Sequence, residues 1–233
     1  MLEVKNLTVK FGKKVVIEDI SFELRPNEVT IIVGLNGTGK STLLKAIMNL
    51  IPHQKGEVLV DGQPFTFESY ENVGFVSDHL ALLPHLTIKE SLELMETFYD
   101  SYNSARAEQL LTFFRLNPEE RVRTLSKGNQ AKLNLLLSLV LDTSYILLDE
   151  PFAGIDVFSR EELLNVFTTD IMENKSVLMA THDIHEIENL ADRIIMLKNG
   201  HIINDINLEE WREEKGQNVM DLMQEVYERE IFI

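Results

Sequence analysis

The sequence predicts an α/β fold: a parallel-sheet core with an N-terminal antiparallel β subdomain and an inserted α-helical subdomain. Three observations carry this. Apolar runs at Val29 to Val33, Val73 to Val76, Tyr145 to Leu148 and Val177 to Ala180 have the character of strands buried on both faces, as in parallel sheets. Ahead of them the opening segment alternates, through Leu2, Val4, Leu7 and Val9, then Val15 to Ile17, then Ile20 to Leu24, as short antiparallel strands do. Between the second and third runs the period turns helical.

Each element follows from its own residues. Gly56-Glu57-Val58-Leu59-Val60-Asp61-Gly62 is a short strand bounded by turn residues. Thr87 and Glu90 have capping-box spacing, and Ile88, Leu92, Met95 and Tyr99 share one stripe of the helix that follows. Leu110 to Phe114 continues the helical character. A third helix begins at Ser126, and its stretch from Leu133 to Leu141 is apolar at seven of nine positions; that is too short to cross a bilayer, so it is expected as a buried core helix. A further helix is expected around Ser159 to Val166. Asn207 and Glu210 are placed to cap a short helix, and Val219, Leu222, Met223 and Val226 put an apolar stripe on the last one, either core or a partner surface.

Composition sets outer limits. With 233 residues, 44% of them hydrophobic, the chain can bury a sizeable core, and it is read as a single domain over 1–233. Within it, the core takes about 1–79 and 143–206, the helical subdomain about 80–142 and a helical tail about 207–233. No apolar run reaches the roughly 20 residues of a membrane span, and Met1-Leu2-Glu3-Val4-Lys5 does not resemble a secretory signal, so the expected compartment is the cytoplasm. The absence of cysteine excludes disulfides, thiolate metal sites and cysteine catalysis. A formal net charge of −16 argues against a broad nucleic-acid face, which needs a basic patch or stripe.

The most specific local pattern is Gly34-Leu35-Asn36-Gly37-Thr38-Gly39-Lys40-Ser41, followed by Thr42. It lies between a strand run and a helical run, the context a phosphate-gripping loop requires. Glycines let backbone N–H groups close around phosphate oxygens, Lys40 reaches the β- and γ-phosphates, and the Ser41 hydroxyl is a Mg²⁺ ligand. The helix that follows turns its positive dipole end to the same anion. The loop therefore predicts a nucleoside triphosphate with Mg²⁺, on a P-loop NTPase core.

Other polar residues cluster at strand ends. In open α/β sheets, ligands sit beyond the carboxyl ends of the strands. There Val76 hands over to Ser77-Asp78, Leu148 to Asp149-Glu150, and Ala180 to Thr181-His182. Asp149 is placed to hold Mg²⁺, directly or through water. Glu150 is placed to orient and deprotonate an attacking water. His182 either hydrogen-bonds the γ-phosphate or helps to orient that water. His182 and His185 are three residues apart, but two histidines do not make a zinc site.

In the order and spacing of these motifs the chain resembles the ATP-binding cassette family over essentially its whole length. Gly34 to Ser41 looks like its Walker A loop and Tyr145 to Asp149 its Walker B strand, with Glu150 following. Ala153-Gly154-Ile155-Asp156 looks like the D-loop, and His182 like the switch histidine. The family signature, most often LSGGQ, is Leu125-Ser126-Lys127-Gly128-Asn129 here. The resemblance implies that Phe11 stacks on adenine, the alternative on physical grounds alone being ordinary core. It also implies that two cassettes, identical or paralogous, pair head to tail, so that Ser126 and Gly128 of one close on the ATP held by the other. A helix start at Ser126 is itself an anion site, which fits that arrangement.

Two departures stand out. Asp78 occupies the position where the family usually has glutamine; a shorter, charged side chain either binds the metal more strongly or repels the phosphates. Lys127 and Asn129 also depart from the usual signature, and Lys127 either adds a cation near the γ-phosphate or faces solvent. The Ser-Lys-Gly form is similar to that of ABC-2-type exporter cassettes. The expected function is thus the ATP-hydrolysing subunit of a membrane exporter, peripheral on the cytoplasmic face and partnered by a transmembrane permease subunit and a second cassette, with no nucleic acid. The alternative is a soluble cassette ATPase acting on ribosomes or DNA. Such relatives carry tandem cassettes or long coiled-coil insertions, and the sequence has neither. A P-loop kinase would leave the signature and His182 unexplained.

Overall fold

The structure is a computed structural model and describes residues 1–78, 83–182 and 188–215, together with Val226. In chain order the first elements are β1 (Leu2–Phe11), β2 (Lys14–Leu24), β3 (Val29–Val33), α1 (Lys40–Ile47), β4 (Lys55–Val60), β5 (Gln63–Pro64) and β6 (Val73–Val76). Helices α2 (Ile88–Phe98), α3 (Ser104–Phe114) and α4 (Lys127–Leu139) follow. Then come β7 (Tyr145–Asp149), α5 (Val157–Val166), β8 (Ser176–Thr181), β9 (Arg193–Lys198), β10 (His201–Asn207) and α6 (Leu208–Lys215). These elements form two compact units, one of Met1–Phe65 with Ser176–Ile233 and one of Thr66–Lys175.

The first unit holds two strand arrays. One is antiparallel, in the order β2-β1-β4-β5. The opening strands are longer than the alternation suggests, because bulges bridge its interruptions: Asn6 and Asp19 both take left-handed conformations, with φ 48° and 54°. Asn6 Nδ2 donates to Asp19 Oδ1 across the pair at 2.9 Å, and the extra residues add local twist. In the other array β3 lies parallel to both β8 and β9, and β10 is antiparallel to β9. Helix α1, with Leu43, Leu44 and Ile47 buried, lies against β8 of this array and against β1 and β2 of the other. Each fully buried residue of that kind contributes about 1.5–3 kcal/mol.

The hairpin of β9 and β10 was legible but not expected. Asn199 and Gly200, at φ 48° and 80°, form the two-residue turn that an Asn-Gly pair favours because both positions need positive φ. A charged network pins this hairpin at its far end. Arg193 on β9, 8% exposed, donates to both carboxylate oxygens of Asp205 on β10 at 2.6 Å, and to the Glu23 carbonyl at 2.8 Å. Its ion pair with buried Glu28 spans 3.5 Å, and Glu28 accepts from Thr30 Oγ1 at 2.5 Å. Arg193→Ala leaves the buried Glu28 carboxylate with only the longer ion pair to exposed Arg25, at 3.9 Å. The expected cost is about 3 kcal/mol, read as a lower urea midpoint; an unchanged midpoint contradicts it.

The second unit pairs β6 in parallel with β7, Val76 opposite Leu148, and gathers α2 to α5. The Thr87–Glu90 capping box is present in both directions, with Thr87 N to Glu90 Oε2 at 2.7 Å and Glu90 N to Thr87 Oγ1 at 3.1 Å. Asn103 caps α3, which stops at Arg115 where the chain turns left-handed, φ 54°. Helix α4 is the buried centre, as its composition predicts: Leu133, Leu136, Leu139 and Val140 have no exposed surface.

Helix α5 begins at Val157, two residues before its expected start, since its cap Asp156 lies further upstream, and α1 begins at Lys40, inside the phosphate loop's own sequence. Asn207 Oδ1 caps α6 by accepting from the N–H groups of Glu209 and Glu210 at 3.0 and 3.1 Å. The predicted stripe of Val219, Leu222 and Met223 lies outside the described residues, as does His185. Among the described residues no helix is long and apolar enough to cross a membrane.

Candidate functional site

In the first unit the phosphate loop is set by its strand. β3 and β8 run in register to their ends, Val33 opposite Thr181, so Gly34 and His182 leave the sheet at the same carboxyl edge. Gly34 is buried, and a Cβ there would stand 2.5 Å from the Leu197 carbonyl oxygen and 2.7 Å from Thr38 Oγ1. Only glycine lets the loop turn that close. Gly39 has φ 109°, and a Cβ would meet Ile17 Cδ1 at 2.7 Å.

Further contacts tighten the loop. Thr38 donates to the Leu35 carbonyl from N at 3.3 Å and from Oγ1 at 2.9 Å. Gly200 N donates to the Thr38 carbonyl at 3.2 Å, so the β9–β10 turn buttresses the loop from outside. Lys40 is 5% exposed, and its Nζ lies over the loop, 2.8 Å from the Gly34 carbonyl oxygen and 3.4 Å from that of Leu35. Helix α1 starts from Gly39 with no side-chain cap and no acidic residue in its first turn, which leaves its positive end for an external anion. Ser41 and Thr42 are half-buried in that turn, while Asn36 and Gly37 are exposed on the loop's outer side.

Phe11 closes β1 at the hairpin tip, opposite Lys14, and is 55% exposed. The core alternative for this ring is thereby excluded. His182 is exposed, directly after buried Thr181.

The second unit brings together the other residues the sequence singled out. Because Val76 and Leu148 are register partners, Asp78 and the Asp149-Glu150 pair emerge from one edge of the β6–β7 pair. Asp149 has no exposed surface, whereas Asp78 is exposed and Glu150 half-buried. Glu150 has φ 48°, a conformation that costs a non-glycine residue about 1–2 kcal/mol. Its carbonyl accepts from Ala153 N at 3.1 Å, which closes a turn at Pro151-Phe152. Sequence gave no sign of this strain, and strain of that kind concentrates where a side chain must be aimed.

Ser126 is the N-cap of α4, its Oγ accepting from Asn129 N at 3.2 Å, and the first turn of this helix also lacks an acidic residue. Lys127 is exposed there. Gly128 is buried, and a Cβ would fall 2.3 Å from Ser159 Oγ. Asp156, in the predicted D-loop, caps α5 by accepting from Ser159 N at 3.0 Å and Ser159 Oγ at 2.7 Å; these two bonds hold its carboxyl below the usual aspartate range. Lys132 of α4 pairs with Glu162 of α5. The signature turn and the D-loop are thus one packed piece.

Residues 17–153 match the sequence pattern of the ABC transporter family. The chain belongs to that family. Its cassette fold recurs in a solved ATP-binding subunit of an ABC transporter, 27% identical, with a TM-score of 0.87 over 97% of this chain and 98% of the other. It recurs too in the dimeric post-hydrolysis state of the ATP-binding cassette MJ0796 bound to ADP and Pi, 26% identical, TM-score 0.78, covering 89% and 99%. Among curated ABC relatives, the linearmycin resistance ATP-binding protein LnrL of Bacillus subtilis is 31% identical over 87% of this chain and 68% of its own length. The glycine betaine/carnitine/choline transport ATP-binding protein OpuCA of the same species is 32% identical over 87% of this chain and 56% of its own length. As a cassette of this family the chain is an ATPase.

Proposed function

We propose that this cassette binds Mg·ATP, pairs with a second cassette around two ATP molecules, and hydrolyses them to drive a separate transmembrane permease, as an exporter on the cytoplasmic face of the membrane. The observation that carries the reading is the phosphate loop itself: buried Lys40 over the loop carbonyls, at the uncapped start of α1. Walker A residues Gly34, Asn36, Gly37, Thr38, Gly39, Lys40, Ser41 and Thr42 hold the phosphates, and Phe11 offers an exposed ring for the adenine. Ser126 and Gly128 serve the nucleotide of the partner cassette. The exporter assignment draws on the Ser126-Lys127-Gly128 signature form and on the likeness to a resistance protein.

The residues present fit Mg²⁺. Among the described residues no three His, Cys, Asp or Glu side chains are grouped as a metal cage. Mg²⁺ needs no such cage, taking one or two carboxylates and completing its shell with water and phosphate oxygens. Asp149 and Asp78 on the β6–β7 edge, with Ser41 on the phosphate loop, are the proposed ligands. When bound, the ion neutralises charge developing on the phosphates. Glu150 takes the proton of the attacking water, and His182 orients the γ-phosphate or that water.

Asp78 defines a direct test. Asp78→Gln restores the usual family residue, so wild-type ATP affinity is expected in an equilibrium titration with fluorescent nucleotide. Loss of binding would show that Asp78 is needed for the nucleotide itself. The whole reading is tested by ATPase assay of the purified chain with and without Mg²⁺: phosphate release that needs the metal is expected.

A further inference from the structure

The side-chain amide of Asn134, a residue in none of the motifs, donates from Nδ2 to the main-chain oxygen of Ser77 at 2.8 Å. We propose that Asn134 is a positioning residue, which fixes through Ser77 the point where the Asp78 loop leaves β6 and so sets the aim of the Asp78 carboxylate. The inference rests on the metal role proposed for Asp78.

The geometry around this bond is specific. Ser138 follows Asn134 by one helical turn and so lies on the same face of α4. There α4 runs so close to β6 that a Cβ on Gly74 would stand 2.5 Å from Ser138 Oγ. Glycine at mid-strand admits the helix, and Asn134 then reaches the strand's exit. Two points thereby lock the register of α4 on β6.

That register matters because α4 starts at Ser126, about 12 Å from Asn134 along a helix rising 1.5 Å per residue. The anion-binding end of α4 and the exit of the Asp78 loop become parts of one rigid piece. The bond engages the main chain, so it directs the loop while leaving the Asp78 carboxylate out of the contact. A purely structural hydrogen bond would add to stability and do nothing else.

The test uses Asn134→Leu, which keeps the volume and removes the donor, and Asn134→Gln, which keeps a donor on a longer arm. The Mg²⁺ concentration giving half-maximal binding of fluorescent ATP is measured by equilibrium titration, beside binding without metal and the urea midpoint. Asn134→Leu is expected to raise the Mg²⁺ requirement about three- to tenfold, the scale of one lost hydrogen bond, with metal-free binding unchanged. Asn134→Gln is expected to recover part of it. In an Asp78→Ala background the Leu substitution is expected to have no further effect, since Asn134 acts through Asp78.

An unmoved Mg²⁺ requirement in both variants, or an equal increment in the Asp78→Ala background, overturns the proposal. If Asn134→Leu unfolds, Asn134→Gln decides by the same titration. Wild-type binding that ignores Mg²⁺ would instead remove the metal reading of Asp78, and the inference with it.

Discussion

Glu150→Gln is expected to lower steady-state ATP hydrolysis by about a hundred- to ten-thousandfold, the contribution of a positioned general base, while ATP affinity stays at the wild-type level. The substitution is nearly isosteric, so it removes the basic oxygen and keeps the arm. The backbone supplies an internal control. Glu150 sits at φ 48°, so Glu150→Gly relieves the left-handed strain and is expected to keep stability while losing hydrolysis equally. Phosphate release and urea unfolding of both variants check this. If either variant hydrolyses ATP at the wild-type rate, Glu150 is not the base.

Lys40→Ala is expected to weaken ATP binding by about a hundredfold, because in the proposed site the ammonium makes charge-assisted hydrogen bonds to the phosphates, each contributing about 1.5–3 kcal/mol. Lys40 is also buried against the Gly34 carbonyl oxygen, so truncation removes a contact from the free loop. Gly39 and Gly34 still hold the loop through their close approaches, and circular dichroism is expected to show an intact fold. Isothermal titration checks the affinity. Wild-type affinity in a folded Lys40→Ala protein contradicts the assignment of the loop.

Much of this was legible because the motifs coincide with strong local signals. The phosphate loop lies between a β-branched strand and a helix, and β3 and α1 are where that order places them. The caps at Thr87 and Ser126 were readable because capping is decided within four residues. The β9–β10 hairpin escaped despite its Asn199-Gly200 turn, and so did its buttressing of Thr38, because that contact joins residues distant in sequence. The left-handed backbone of Glu150 was illegible for another reason. Glutamate does not prefer that conformation, and the surrounding fold imposes it. Asn134 belongs to the same class: its partner, Ser77, is 57 residues away, and a polar residue on a leucine-rich helix reads as a defect until the strand beside it is seen.

These three features also separate scaffold from chemistry. Arg193, Gly74 and Gly128 are held by packing or charge and predict losses of stability. Lys40 and Glu150 lie at a helix start and just past a strand end, and predict losses of binding and of turnover. Asn134 stands between the groups, and for that reason its test separates metal dependence from the urea midpoint.

In the proposed cycle ATP joins two cassettes by bridging the phosphate loop of one and the signature turn of the other. This bridging is tested most directly by light scattering of the Glu150→Gln protein, which binds ATP without consuming it. With saturating Mg·ATP the measured mass is expected to be twice the 26.8 kDa of one chain, returning to one chain with ADP or when Ser126→Arg blocks the signature turn. A mass that stays at one chain in saturating ATP, or a dimer that ignores nucleotide and survives Ser126→Arg, contradicts the account.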